Sequence, residues 1–434
     1  ISMRNLPAYT LAILLILPLS LTAVADRFEE DPINYSDTKG NNPVSRLQES
    51  IDADTATLDY DPQFGYLKSV LAALEIPYES QMLVFSKTSF QNRYITPSTP
   101  RAIYYNDEVY IGTVQRGDVI EVSVADPDLG TLFYALPQRK EEHPKFLRQN
   151  NNCLQCHAST LTRGVPGHVV RSVFPDEEGF PILKAGTHVT TQSSPLEQRW
   201  GGWYVTGTHG EARHMGNVIA EELERDAKID MEAGANRTTL DPRVDTTKYL
   251  TPHSDIVSLM VLEHQTKMHN LMTSANFETK MALKDQAVMD EIFERDPTIL
   301  SESTKSRIDN VGDALVKYML FVDEAALVSP IVGTSGFTET FPSRGPKDST
   351  GRSLRELDLE SRLFTYPLSY QIYSPQFDGL PNEMKTYVYQ RLWDILTGTE
   401  KSDEFDHLTR RTRRAIREIL LETKDDLPDY WTKS

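Results

Sequence analysis

The chain has 434 residues, 39% of them hydrophobic. That length and apolar share allow two or three domains, or one large one, and exclude a disordered tail or a disulfide-stapled miniprotein. The 63 acidic residues outnumber the 45 basic ones and give a net charge of -18, which argues against a nucleic-acid partner, because such a binder needs a basic footprint.

Met3 and Arg4 open a short basic start, residues 8–20 are almost wholly apolar, and Ala23-Val24-Ala25 supplies a small-x-small pattern. This reads as a secretory signal peptide over residues 1–25, so the mature protein is expected in the periplasm or otherwise exported from a bacterium. The apolar run is too short for a spanning helix, and no stable membrane span is expected after cleavage. Residues 26–60 are polar and acidic and read as a flexible lead-in. Tyr66, Leu67, Val70, Leu71 and Leu74 then recur at helical spacing.

From residue 82 to 136 the pattern turns to strands. Residues 103–105 and 109–111 flank Asn106-Asp107-Glu108 as a hairpin, and residues 119–124 alternate as a half-buried strand. A polar approach over 138–152 leads to Cys153, and strand-like segments follow at 168–174, 182–190 and 203–206. Residues 61–222 therefore form a mixed α+β region, and residues 223–253 read as an exposed connector. Ser254 or Asp255 caps a helix to about residue 276, with further helical periods at 277–295, 301–324, 382–398 and 403–422. The apolar stretch at 315–332 is interrupted by Lys317, Asp323 and Glu324, so it reads as buried helix and loop. The expected fold class is α+β, with a strand-rich N-terminal half and a mainly helical region over 254–434.

The chain's two cysteines lie together in Cys153-Leu154-Gln155-Cys156-His157. Cys-x-x-Cys-His is the attachment signature of c-type haem. Two thiols at this spacing reach the two vinyl groups on one edge of a porphyrin, and the next residue turns its imidazole to the iron. The expected cofactor is one covalent haem c, bound by Cys153 and Cys156, with His157 as proximal iron ligand. These five residues resemble c-type cytochromes. Residues 83–89, 100–107 and 200–217 are similar to a group of large exported bacterial cytochrome c domain proteins of unassigned reaction. The resemblance implies the haem and no particular reaction. A small all-α class I cytochrome is not expected, because the residues around the motif are not helical in pattern. Two other readings of the cysteines compete: a thioredoxin-type dithiol, which belongs at a strand-to-helix junction in a βαβ unit, and a zinc site that adds His168.

The sixth iron ligand is open. His214 is the first candidate, in the loop Arg213-His214-Met215-Gly216-Asn217 close to His209; His264 and Met215 follow. Met260, His264, Met268 and Met272 share one helix face, which equally describes a core stripe. His168 reads as a structural histidine on a strand. Trp200, Trp203, Tyr204 and Phe174 would wall a haem pocket or fill a core. Arg410, Arg411, Arg413, Arg414 and Arg417 load a late helix with charge, as a docking patch or as a solvated face. The leading reading is an exported monohaem cytochrome that passes electrons to an exported redox partner. The alternatives are a haem enzyme with an open distal site, acting on peroxide or another small molecule, and a haem-based sensor or binding protein. The chain is much longer than a bare electron carrier needs, which favours the alternatives.

Overall fold

The computed structural model describes residues 24–221 and 227–432. The signal peptide expected over 1–25 lies outside them except for Val24 and Ala25. The fold is α+β, strand-rich first and helical second, as the periodicities predict. Six strands make one antiparallel meander in chain order: β1 Met82–Val84, β2 Arg101–Tyr105, β3 Val109–Thr113, β4 Val119–Asp126, β5 Gly130–Pro137 and β6 Leu147–Arg148. The expected hairpin turns at Asn106, whose side-chain oxygen accepts from the Glu108 and Val109 amides.

Alternation along the strands gives the sheet two faces with different partners. Tyr104, Ile111, Val122 and Leu132 point to one of them and pack on helices α1 Pro43–Asp52 and α2 Leu67–Ala73. Tyr110, Ser123 and Phe133 stand side by side on the other face, paired across β3, β4 and β5.

Two expectations need correction here. Residues 26–60 are not a flexible lead-in. Asn42 caps α1 with a capping box, Phe28, Ile33, Tyr35, Val44 and Ile51 are buried, and the Tyr35 hydroxyl donates to the Thr131 carbonyl at 2.7 Å. Their apolar residues are few, but nearly all fall on the inner side, which an average over composition hides. The described part of the expected connector is irregular yet packed. Leu240, Val244 and Tyr249 are buried, and the Tyr249 hydroxyl donates to the Pro100 carbonyl at 2.9 Å.

After β6 the chain forms a short helix, α3 Asn151–His157, which carries the cysteines. The hairpin β7 Arg171–Val173 and β8 Thr187–Val189 follows, and β9 Gly207–Thr208 pairs with β10 Val332–Gly333. The helices expected at 254–276 and 277–295 are one helix, α4 Ile256–Ile292, because no glycine or proline interrupts the sequence between them. Asp255 caps it, accepting from the Val257 and Ser258 amides. Its first half is buried all round, as a helix must be when a sheet covers one side and other helices cover the rest. Those helices are α5 Glu302–Met319, α6 Phe337–Ser343, α7 Pro375–Asp378 and α8 Asn382–Thr397, and α9 Arg410–Thr423 packs on α8. Met82, Val84, Tyr105 and Tyr110 of the sheet share one core with α4 and the later helices, so the two halves are joined by packing. Among the described residues no helix is long and apolar enough to cross a membrane.

Candidate functional site

Helix α3 places Cys153 and Cys156 three residues apart, on one face of a helical turn. Cys153 is half-buried, Cys156 is exposed, and no disulfide joins them. His157 is the last residue of the helix, and its ring lies 4.9 Å from that of Phe133. Its Nδ1 is 2.9 Å from the carbonyl oxygen of Gly167. A carbonyl only accepts, so Nδ1 carries the proton and the Nε2 lone pair is left for a ligand. Gly167 returns the contact, its amide donating to the His157 carbonyl at 2.8 Å. Burial holds the imidazole below its ordinary pKa, which keeps it in the neutral form that binds metal.

Behind this loop sits His168. Its ring nitrogens meet Ser123 Oγ at 2.9 Å and Thr131 Oγ1 at 3.4 Å, and its ring lies 4.3 Å from that of Tyr110. Its backbone is held from the other side by Asn270 of α4, which accepts from the His168 amide at 2.8 Å and donates to its carbonyl at 2.7 Å. The row Tyr110, Ser123, Phe133 is thus the floor on which both histidines rest.

The two competing readings of the cysteines find little support. Burial first, and the Glu121 carboxylate second, push the Cys153 thiol up to about 11. A dithiol nucleophile needs the opposite shift. The helix also follows an edge strand of an antiparallel meander, with no βαβ unit. Among the described residues no group of three or more His, Cys, Asp or Glu side chains is set to hold a metal ion, and His168 spends both ring nitrogens on hydroxyls.

The residues do fit a haem c. A haem brings four nitrogens of its own, so the protein need supply only two thiols and one neutral imidazole, and these three stand together. Beside them Arg101 lies flat over Gly112, where a Cβ would come within 2.2 Å of its guanidinium, and pairs with Glu121 at 2.5 Å. Its buried Nε has no hydrogen-bond partner, and neither has the buried side-chain oxygen of Asn150 at the start of α3. A guanidinium with a spare donor next to the motif suits a propionate.

The expected distal candidates lie elsewhere. His264 is a core histidine: Nδ1 meets Gln192 Oε1 at 2.6 Å, Nε2 meets Ser369 Oγ at 2.7 Å, and the ring stacks on Phe321 at 4.5 Å. Neither nitrogen is free for iron, so His264 is withdrawn as a ligand. His214 is buried with His209 at 4.7 Å and Trp200 at 5.3 Å, and its Nδ1 accepts from the Gly216 amide. Met215 is buried, and its sulfur accepts from Ser172 Oγ at 3.5 Å. Met260, Met268 and Met272 pack the helical core.

The aromatic residues expected as pocket walls are also occupied elsewhere. The Trp203 indole donates to the Arg171 carbonyl and the Tyr204 hydroxyl to the Pro97 carbonyl, while Phe174 packs near Ile182. The ring against His157 is Phe133, which sequence reasoning missed; strand alternation gives its face but not its neighbour. Of the late arginines, Arg413 caps carbonyls of Ile395, Phe405 and Leu408, and Arg414 pairs with Glu418 one turn on.

No protein-family model matches the chain, and no match is found among curated proteins or among solved structures.

Proposed function

We propose that the protein is an exported c-type cytochrome with one haem, bonded through thioethers to Cys153 and Cys156 and ligated by His157, that passes single electrons to an exported redox partner. The observation that carries this reading is the Nδ1–H of His157 fixed on the Gly167 carbonyl at 2.9 Å, which leaves the Nε2 lone pair uncommitted on the same short helix as two free thiols. Each thiol adds its S–H across one vinyl group, so a C–S bond forms and nothing leaves. When bound, the haem supplies a one-electron Fe(III)/Fe(II) couple. The chain orients the imidazole through Gly167, sets it at a tilt against the Phe133 ring, and offers Arg101 to a negative edge.

The open-site alternative, a haem enzyme or sensor, has one observation in its favour. His264 has no nitrogen to give, and the ring neighbours of His214 belong to its own buried cluster. The mass of the protein from an exporting host tests haem attachment: the wild type gains the mass of one haem, and Cys153→Ala with Cys156→Ala gains none. An unmodified wild type would sink the proposal. Optical and EPR spectra with and without carbon monoxide then divide the readings. A low-spin iron indifferent to carbon monoxide supports the carrier, and a high-spin iron that binds it supports the open site.

A further inference from the structure

Asn270 is a buried amide in the middle of α4, with 2% of its surface exposed, and its side chain is spent on one residue. Its Oδ1 accepts from the His168 amide at 2.8 Å and its Nδ2 donates to the His168 carbonyl at 2.7 Å. The adjoining Gly167 lies so close that a Cβ there would fall 2.2 Å from Asn270 Oδ1, so the amide lies directly against this stretch of backbone. Gly167 in turn makes both bonds to His157, one from its amide and one to its carbonyl. The row of contacts therefore runs from α4 through Asn270 and the 167–168 backbone to the ring of His157. The loop is fixed from the sheet side as well, by Ser123 and Thr131 on the His168 ring. An apolar side chain would fill the position of Asn270 without the cost of burying an amide, and it would leave the His168 amide and carbonyl unpaired.

We infer that Asn270 is a positioning residue for His157, setting the strength of the hydrogen bond from Nδ1–H and so the electron density that the imidazole gives to iron; this rests on the haem reading above. A partner that orients a ligating histidine and makes it more basic favours the ferric state. Loss of Asn270 lets the Gly167 carbonyl drift, weakens the bond and raises the midpoint potential.

The test compares Asn270→Ala with Asn276→Ala. Asn276 is another buried amide of α4, which donates to the carbonyls of Pro127 at 3.0 Å and Gly379 at 3.2 Å. Asn270→Ala is expected to keep its covalent haem by mass, raise the midpoint potential and lower the iron–histidine stretching frequency. Asn276→Ala is expected to leave potential and stretch at the wild-type values. If the two variants match in potential and stretch, Asn270 is structural only and the inference falls.

Amide exchange in haem-free protein reads the clamp separately. The His168 amide should be protected like the centre of β4 in the wild type and exchange at least about tenfold faster in Asn270→Ala. Should the variant not fold, exchange in the wild type decides: a His168 amide exchanging as a free peptide overturns the inference. A wild type that carries no haem overturns the function proposed above, and the exchange measurement still reports on the clamp.

Discussion

His157 is half-buried and His264 fully buried, and what separates them as ligands is the number of nitrogens already engaged. His264 uses two and His157 uses one on the Gly167 carbonyl, so a ligand reading survives only for the second. The buried, neutral histidines also set a pH dependence. Burial, first among the causes in each case, pulls His214 and His264 down to about 3 and His269 down to about 4, from an ordinary 6.5. Between those limits the unfolded chain binds protons that the native protein does not. Stability is therefore full above pH 6.5, falls as the pH drops below it, and levels off near pH 3 to 4. Each such histidine contributes about 1.4 kcal/mol per pH unit, so together they amount to roughly 4 kcal/mol per unit. Urea melts of the haem-free protein between pH 7 and 5 should record this loss, offset in part by Glu324, whose carboxyl is pushed by burial up to about 7 and which therefore adds stability as the pH falls over the same interval. A flat profile over that interval would refute it. Nothing in the sequence around His264 announces its hydrogen-bond partners. The Met260, His264, Met268 stripe correctly names a packed face, but the hydroxyl and amide that satisfy the ring come from Ser369 and Gln192, far along the chain.

At the scale of elements, α4 is the piece to which most of the molecule is attached. Asp255 does more than cap it. One carboxylate oxygen accepts from the Val257 amide at 2.8 Å, and the other accepts from the Thr334 and Ser335 amides at 2.8 Å and from the Ser335 hydroxyl at 2.9 Å. The start of the helix is thus tied to the segment after β10. Asp255→Ala removes a cap and leaves buried donors unpaired, and should cost about 2–4 kcal/mol in chemical denaturation. Asp255→Asn keeps one accepting oxygen and should cost less. Equal losses would show that the oxygen kept by asparagine contributes nothing.

The sequence allowed either Ser254 or Asp255 as the cap. Ser254 instead bridges two segments of the strand-rich half, accepting from the Leu83 amide at 2.9 Å and donating to the Tyr204 carbonyl at 2.6 Å. Such a choice depends on distant backbone, which local pattern does not contain. The same limit explains why two helices were expected where α4 runs unbroken: the change in amphipathic phase near residue 276 marks where α4 leaves the core, and the backbone continues.

For the molecule as a whole, periodicity made the α+β class and the division into a strand half and a helix half legible. It did not show that the halves share a core. Met82, Val84, Tyr105 and Tyr110 are unremarkable strand residues in sequence, yet they pack with Met260, Leu315 and Phe337. A boundary near residue 253 therefore separates patterns, not folding units. Far-UV and near-UV dichroism should report one coincident thermal transition. Two separated transitions would count against the shared core. The Cys153–His157 segment was legible as a candidate because its five residues are adjacent, while Phe133, Gly167 and Asn270 were not, because strand pairing and helix packing bring them in from other parts of the chain.

That distance also bears on assembly. Asn270 lies 102 residues beyond the His168 that it grips. A chain emerging N-terminus first presents its two thiols on the α3 segment before the grip exists. On the haem reading proposed above, attachment at that stage would need no opening of a finished protein, and packing of α4 against the 167–168 backbone would then fix the His157 ring.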